Sequence, residues 1–251
     1  MKALLLSAGL GTRLKPFTDH HPKALASVNG RSLLEWNIRN LQYFGIREVV
    51  VNVHHFAEQI IEVLEREQGF GSKVHISDER DAVLETGGGL KKAAPFFAQE
   101  QDFLVMNVDI LTNADISALV KQHRESGALA TLAVQQRTSS RYFLFDADRR
   151  LRGWENVQSG LVRLTEGADR AALVPMAFSG LQVLHSDIFA EMKQEGKFSL
   201  VDVYLDLCGK AHIRGWDHSA DLLLDVGKPE SLERAAALFS DAFPGRTGIS
   251  V

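Results

Sequence analysis

Leu4-Leu5-Leu6-Ser7-Ala8-Gly9-Leu10-Gly11-Thr12-Arg13-Leu14-Lys15-Pro16, continuing to Pro22-Lys23, opens the chain as an apolar strand that breaks into a cationic glycine loop. Consecutive leucines suit a strand buried on both faces. Glycines let backbone N–H groups approach anionic oxygens, and Arg13, Lys15 and Lys23 add positive charge at the same place, so the loop suits a polyphosphate. Gly9 and Gly11 match a dinucleotide fingerprint, but Leu14 holds its last glycine position. The next strand ends in Asn52, His54 and His55 rather than in an acid for a ribose, so a nicotinamide cofactor is not expected. A Walker loop would need a Gly-Lys-Ser/Thr terminus, which this loop lacks.

Regular alternation continues outward from the loop. Ser32 is placed to cap a helix with Leu34, Ile38, Leu41 and Phe44 at helical spacing, and Gly45 is placed to stop it. Val49-Val50-Val51 is a β-branched run suited to a second buried strand. Phe56, Ile60 and Leu64 mark another helix, and Lys73 to Ser77 a short strand. Glu85-Thr86-Gly87-Gly88-Gly89 opens a helix that Pro95 closes, and Phe103 to Met106 is a strand that delivers Asn107-Val108-Asp109. This order predicts an α/β fold with a Rossmann-like, mostly parallel sheet and helices on both faces. Ligands of such sheets sit beyond the carboxyl ends of the strands, where these polar clusters fall.

The second half is less regular. Ile116, Leu119, Val120 and His123 mark a helix ended by Gly127, and Leu129 to Val134 reads as a strand. Residues 138–175 read as antiparallel hairpins, a small antiparallel lid. Phe178 to Leu184 returns to strand, and 187–194 and 200–209 to helix. Leu222-Leu223-Leu224-Asp225-Val226-Gly227 is another strand end with an acid and a glycine. Pro229 starts a last helix through about Phe239, and a loose tail is expected after Pro244. Without a repeat or linker, residues 1–251 are expected to form a single domain.

Composition narrows the classes. Hydrophobic content of 45% and charged content of 24% are those of a soluble globular protein, and a net charge of −4 argues against a nucleic-acid binder. Cys208 is the one cysteine, which excludes a disulfide framework and a cysteine-based zinc site. No apolar run approaches the ~18 residues of a membrane span. Residues 2–8 lack a signal-peptide pattern, so the cytoplasm is the expected compartment. Asp109 after a hydrophobic strand is a suitable ligand for a hard cation beside phosphate, and Asp225 has the same context, so the two could meet over one metal. His54 and His55 would point to opposite faces of a strand, which does not make a metal site. Lys91 and Lys92 read as a solvated helix face.

Leu6 to Pro16, with Thr18 and Pro22-Lys23-Ala24-Leu25, resembles the signature of sugar-1-phosphate nucleotidyltransferases, L-A-A-G-x-G-T-R-L-x-P-x-T followed by P-K-x-L. Ser7 stands where alanine is usual. The resemblance extends through Glu85 to Leu90, Asn107-Val108-Asp109, Phe178-Ser179-Gly180 and Asp225 to Glu230, with Val108 where the family often has glycine. It does not reach residues 138–175. The E-T-G-G-G form and the chain length are most similar to N-acetylmuramate-1-phosphate uridylyltransferases, with GTP-dependent mannose- and heptose-1-phosphate enzymes close by.

The resemblance implies the nucleotide-diphospho-sugar transferase fold, with residues 1–136 as the nucleotide-binding half and 137–251 as the sugar-binding half with its lid. It implies attack of a sugar 1-phosphate on the α-phosphorus of a nucleoside triphosphate with Mg²⁺ as cofactor, and no nucleic-acid or membrane partner, in a monomer or homodimer. Arg13, Lys23 and Asp109 would be catalytic, and Asp109 and Asp225 would hold the metal. Ala8, Gly9, Leu10, Gly11, Thr12, Arg13, Lys23, Gly87, Gly88 and Asn107 would bind the nucleotide. Gly180 would approach the sugar, with Glu155 and Asn156 as further sugar-site candidates. A metal-dependent glycosyltransferase of the same fold is the rival reading, and it leaves Arg13 and Lys23 without a task. A silent subunit that senses a nucleotide sugar is a third.

Overall fold

Residues 1–239 are described by the structure, a computed structural model. The expected tail after Pro244 lies outside the described residues. In chain order the first half runs β1 (Ala3–Leu6), β2 (Ser27–Val28), β3 (Arg31–Ser32), α1 (Leu33–Tyr43), β4 (Glu48–Val53), α2 (Ala57–Arg66), β5 (Lys73–Asp78), α3 (Glu85–Ala93), β6 (Asp102–Asn107), β7 (Ile110–Thr112), α4 (Ile116–Ser126) and β8 (Ala130–Gln135). The second half runs β9 (Arg141–Phe145), β10 (Leu151–Asn156), β11 (Leu161–Leu164), β12 (Val174–His185), α5 (Ile188–Glu191), α6 (Leu200–Leu207), β13 (Ile213–Asp217), β14 (Leu223–Asp225) and α7 (Pro229–Leu238).

The main sheet has the order β11-β10-β9-β12-β6-β1-β4-β5, with β8 on β12 and β13 on β8. Its β6-β1-β4-β5 part is parallel, as the alternating pattern predicts. β12 enters antiparallel to β6, and the hairpins β9-β10-β11 continue the same sheet beyond it through residues 174–176. The hairpin region is thus an antiparallel extension of the main sheet.

Strand alternation divides the core into two layers. Leu4 joins Val50, Leu90, Phe97, Phe103 and Tyr204 on the face covered by α3 and α6, while Ala3 and Leu5 join Leu34, Ile38, Val49, Val51, Ile60 and Leu119 on the opposite face under α1, α2 and α4. Each fully buried Leu or Val side chain contributes about 1.5–3 kcal/mol relative to exposure, which fixes strand register. Local signals behave as expected: Ser32 Oγ accepts from the Glu35 N–H at the start of α1, and Gly127 ends α4 with a φ of 59°. The helix expected over 187–194 stops at Glu191. Its continuation is held instead by Lys91, whose ammonium donates to the carbonyls of Met192 (3.2 Å) and Gln194 (2.6 Å), so Lys91 is a tether and not part of a solvated face. No described helix is long and apolar enough to cross a membrane.

Candidate active site

A cleft of about 550 Å³ opens at the carboxyl ends of β1, β4 and β6. It is lined by residues 6–13, Lys23, Asn52, Glu79, 83–86, 107–109, Lys197, Ser199 and Gly227. A slightly larger cavity, about 620 Å³, lies at the other end of β6 around Asp102 and His123. Two of its three acids already have cationic partners, Arg124 for Asp102 at 3.0 Å and the Met1 amine for Glu100 at 3.2 Å. Parallel sheets bind ligands at carboxyl ends, so the first cleft is the candidate.

The loop after β1 is shaped by contacts on both sides. Asn52, buried at the end of β4, accepts the Ser7 N–H (2.6 Å) and the Ala8 N–H (3.3 Å) on its Oδ1. Thr18 Oγ1 and the Leu14 N–H both donate to the Gly11 carbonyl, at 2.9 and 2.8 Å. Leu14, at the position that departs from the dinucleotide fingerprint, is 1% exposed and packs with Val28, Leu33, Trp36 and Leu224. A glycine there would remove this anchor, so the loop is pinned by a hydrophobic side chain.

Lys23 and Asp109 form an ion pair at the floor of the cleft, where the Lys23 side chain is 10% exposed and that of Asp109 20%. Arg13 pairs with Asp225 at 3.6 Å at the more open rim. The two acids belong to adjacent strand ends: Asp225 lies opposite Ile110 in the β7–β14 pair, and the Val226 N–H donates to the Asp109 carbonyl at 2.8 Å. Buried Asn37 of α1 donates to the Val108 carbonyl at 2.8 Å and steadies this turn. Asp109 lines the cleft and Asp225 stands at its rim beside Arg13, each balanced by a cation, and these carboxylate oxygens are hard donors of the kind that suits Mg²⁺.

At the other end of the cleft, Asn52 Nδ2 donates to Glu79 Oε1 at 2.8 Å, while Glu79 Oε2 is buried with no hydrogen-bond partner. Burial pushes the Glu79 carboxyl above its ordinary value, against the opposing hydrogen bond from Asn52. Asn52, Glu79 and Lys197 were not singled out from the sequence as site residues. The only local signal for the first is a polar residue ending a valine-rich strand, and nothing in sequence spacing pairs it with Glu79.

Several expected residues lie elsewhere. Gly87 and Gly88 are inside α3 and face the segment before α6: both N–H groups donate to the Phe198 carbonyl, at 2.9 and 3.2 Å. A Cβ on Gly87 would lie 2.4 Å from the Phe198 ring, and one on Gly88 2.2 Å from the Gly196 carbonyl oxygen. Their glycines serve close packing, and neither lines the cleft. Glu155 is 8% exposed and bound by Arg170 through contacts of 2.7 and 2.8 Å, while Asn156 caps a turn by accepting the N–H groups of Gln158 and Ser159. Neither reaches the cleft. Gly180 sits at a bulge of β12 with a φ of 71°, and a Cβ there would lie 2.9 Å from Asn107 Nδ2, so it makes room for a cleft residue. Ser179 beside it shares a 2.7 Å hydrogen bond with buried His218 Nε2, and burial pushes the His218 imidazole down to about 4.

The chain is similar along its whole length to proteins of one kind. It is 30% identical over 246 residues to an N-acetylmuramate alpha-1-phosphate uridylyltransferase of Caulobacter vibrioides, covering 96% of this chain and 97% of that protein. It is 28% identical to a D-glycero-alpha-D-manno-heptose 1-phosphate guanylyltransferase of Campylobacter jejuni, covering 92% and 96%. Among solved structures, a putative glucose-1-phosphate thymidylyltransferase of Bacillus anthracis superposes with a TM-score of 0.79 at 19% identity, over 98% of each chain, which establishes the shared fold. The sequence model described as Nucleotidyl transferase matches residues 2–241, and with it the cationic glycine loop falls into place: the chain belongs to the nucleotidyl transferase family, among the sugar-1-phosphate nucleotidyltransferases.

Proposed function

We propose that this enzyme transfers a uridylyl group from UTP to a sugar 1-phosphate, with N-acetylmuramate 1-phosphate as the leading substrate, giving a UDP-sugar and pyrophosphate. The observation that carries the reading is the convergence of residues 9–13, Lys23 and Asp109 on one cleft, with Asp225 paired to Arg13 at its rim, in a chain similar end to end to a uridylyltransferase. GTP with a heptose or mannose 1-phosphate is the second reading, favoured by the similarity to a guanylyltransferase.

A phosphate oxygen of the sugar 1-phosphate forms the new bond to the α-phosphorus, and the bond from that phosphorus to the bridging oxygen of pyrophosphate breaks. The nucleophile is already ionised at neutral pH, so the chemistry calls for alignment and charge neutralisation rather than a general base. Backbone N–H groups of residues 9–12 would cradle the triphosphate, with Arg13 on the departing pyrophosphate and Lys23 at the α-phosphate. Asp109 and Asp225 would hold Mg²⁺, which when bound offsets the charge gathered between the two substrates. Asn107 would face the ribose, and Ala8 would leave room for the base near Glu79. Gly180 would line the sugar side through Asn107, whereas the roles implied for Gly87, Gly88, Glu155 and Asn156 find no support in their positions. The protein would act as one nucleotidyltransferase domain in the cytoplasm.

Pyrophosphate release tests the proposal directly. UTP, GTP, CTP, dTTP and ATP are each offered with Mg²⁺ and a panel of sugar 1-phosphates, and UTP with N-acetylmuramate 1-phosphate is expected to be fastest. Faster turnover of GTP with a heptose or mannose 1-phosphate moves the assignment to the second reading. Release of free nucleoside diphosphate from a nucleotide sugar, with no pyrophosphate from any pair, would replace it with glycosyl transfer.

A further inference from the structure

Two polyanions must meet in this cleft, yet of its lining cations Arg13 and Lys23 belong to the loop side and Lys197 is paired with Glu85 at 3.4 Å. A cation on the opposite wall would receive the second substrate. Arg137, just after β8, lies outside the cleft lining but on the side of the β12 bulge, where Gly180 packs against the cleft residue Asn107. Its Nη2 donates to the Phe178 carbonyl at 2.9 Å, at the start of the β12 bulge that carries Ser179 and Gly180. The charge of Asp225 is felt at the Arg137 guanidinium, so Asp225 has Arg13 as its ion-pair partner and Arg137 within electrostatic reach.

Four arginines of the antiparallel extension provide the contrast. Arg149, Arg152, Arg163 and Arg170 are paired with Asp217, Asp146, Asp202 and Glu155, at 3.1, 2.8, 2.7 and 2.7 Å. Arg137 has no carboxylate within 4.0 Å among the described residues, and its one hydrogen bond there leaves most of its donors free. The surrounding wall is stiff: His218 holds Ser179, Gln135 Nε2 donates to the His218 carbonyl at 3.0 Å, and Tyr204 donates to Gln182 at 2.8 Å. An unpaired guanidinium on a fixed wall, beside an acid suited to a metal, is a receptor for a phosphate.

We propose that Arg137 binds the phosphate of the sugar 1-phosphate and sets it against the metal-side acids, opposite the triphosphate loop. This rests on the nucleotidyl-transfer reading above. It assigns the second substrate's anionic group to a residue outside the loop motif, and it separates the two substrates by wall.

The test uses the full-length protein saturated with Mg²⁺ and tripolyphosphate, into which inorganic phosphate is titrated calorimetrically. Arg137→Gln keeps an N–H donor and removes the charge, whereas Arg137→Lys keeps the charge and loses the fork. Wild-type protein is expected to bind phosphate, Arg137→Gln about tenfold or more weakly, and Arg137→Lys in between, as expected for a charge-assisted contact. Tripolyphosphate affinity should be the same in all three. In the coupled assay with UTP and N-acetylmuramate 1-phosphate, Arg137→Gln should raise the KM for the sugar phosphate and leave that for UTP unchanged. Equal phosphate affinity in wild type and Arg137→Gln, no phosphate binding by wild type, or parallel loss of tripolyphosphate binding would each overturn the proposal. Phosphate binding that depends on Arg137, in a protein that releases pyrophosphate from no substrate pair, would retain the anion site and end the nucleotidyl-transfer reading.

Discussion

The two ends of the main sheet handle polar side chains in opposite ways. Around β5-β4-β1-β6 the strands end in loops whose cations and acids face an open cleft, and their pairs, Arg13 with Asp225 and Lys23 with Asp109, join different segments across that cleft. Around β9-β10-β11 the charged groups close on one another: Glu155 on Arg170, Asp146 on Arg152. Both regions hold ion pairs. The difference is that the first set opens on a space large enough for a ligand, and the second fastens hairpins to one another. Ion pairing alone therefore does not separate a binding site from a scaffold, and the accessible space beside each pair does.

That contrast can be broken by mutation. The largest effect is expected at the cleft floor, where Lys23→Ala and Asp109→Asn should each lower kcat for pyrophosphate release by about 1,000-fold, in line with loss of a preorganised charge at a reacting centre. Circular dichroism spectra should be unchanged, and wild-type turnover in either variant would remove these residues from the reaction.

A pH effect comes next, from the wall behind the cleft. His218 titrates near 6.5 when unfolded and is pushed down to about 4 by burial in the fold. The unfolded chain therefore binds the proton first, and stability falls as pH drops from about 6.5 to about 4, by at most about 3 kcal/mol from this group, levelling below that window. The difference in melting temperature between pH 7 and pH 4.5 should be smaller in His218→Gln than in wild type. An identical difference would mean that His218 is not held neutral.

At the rim, Arg13→Ala should raise the KM for the triphosphate by about 10- to 100-fold, the range for losing a charge-assisted contact that is partly open to solvent. Unchanged triphosphate kinetics would contradict its assignment. The smallest catalytic effect is expected in the extension. Arg170→Ala leaves Glu155 buried without its partner and should cost about 1–3 kcal/mol of stability, with kcat and KM within about threefold of wild type. A large loss of activity with an unchanged melting temperature would turn Glu155 and Arg170 into site residues and erase the contrast.

How much of this was legible in the sequence follows from the range of each interaction. The loop, its cations and the strand-terminal acids were readable because each depends on a few neighbouring residues and a strand period. Ser32 and Gly127 were readable as helix ends for the same reason. For Gly87 and Gly88 the resemblance implies a nucleotide role. The partners they approach, Gly196 and Phe198, lie in a distant part of the chain and leave no periodic trace near residue 87. Glu155 followed the same logic: an acid in an unmatched hairpin looks available until the fold brings Arg170 onto it. The link from Asn52 to Glu79 joins two strand ends by side chains alone, which no local pattern encodes.

The run of glycines in α3 has a consequence for engineering. Each glycine in a helix interior destabilises it by about 1 kcal/mol relative to alanine, so replacement would ordinarily be a simple route to a more robust protein. Here the three positions point at different obstacles: the Phe198 ring, the Gly196 carbonyl, and, from Gly89, Glu79 Oε1 at 2.8 Å and Asn52 Nδ2 at 2.9 Å from a built Cβ. One added methyl at Gly89 would push on the same two side chains that shape the loop after β1. Thermostabilising libraries should therefore leave this turn untouched, because helix propensity and substrate geometry are set by the same atoms.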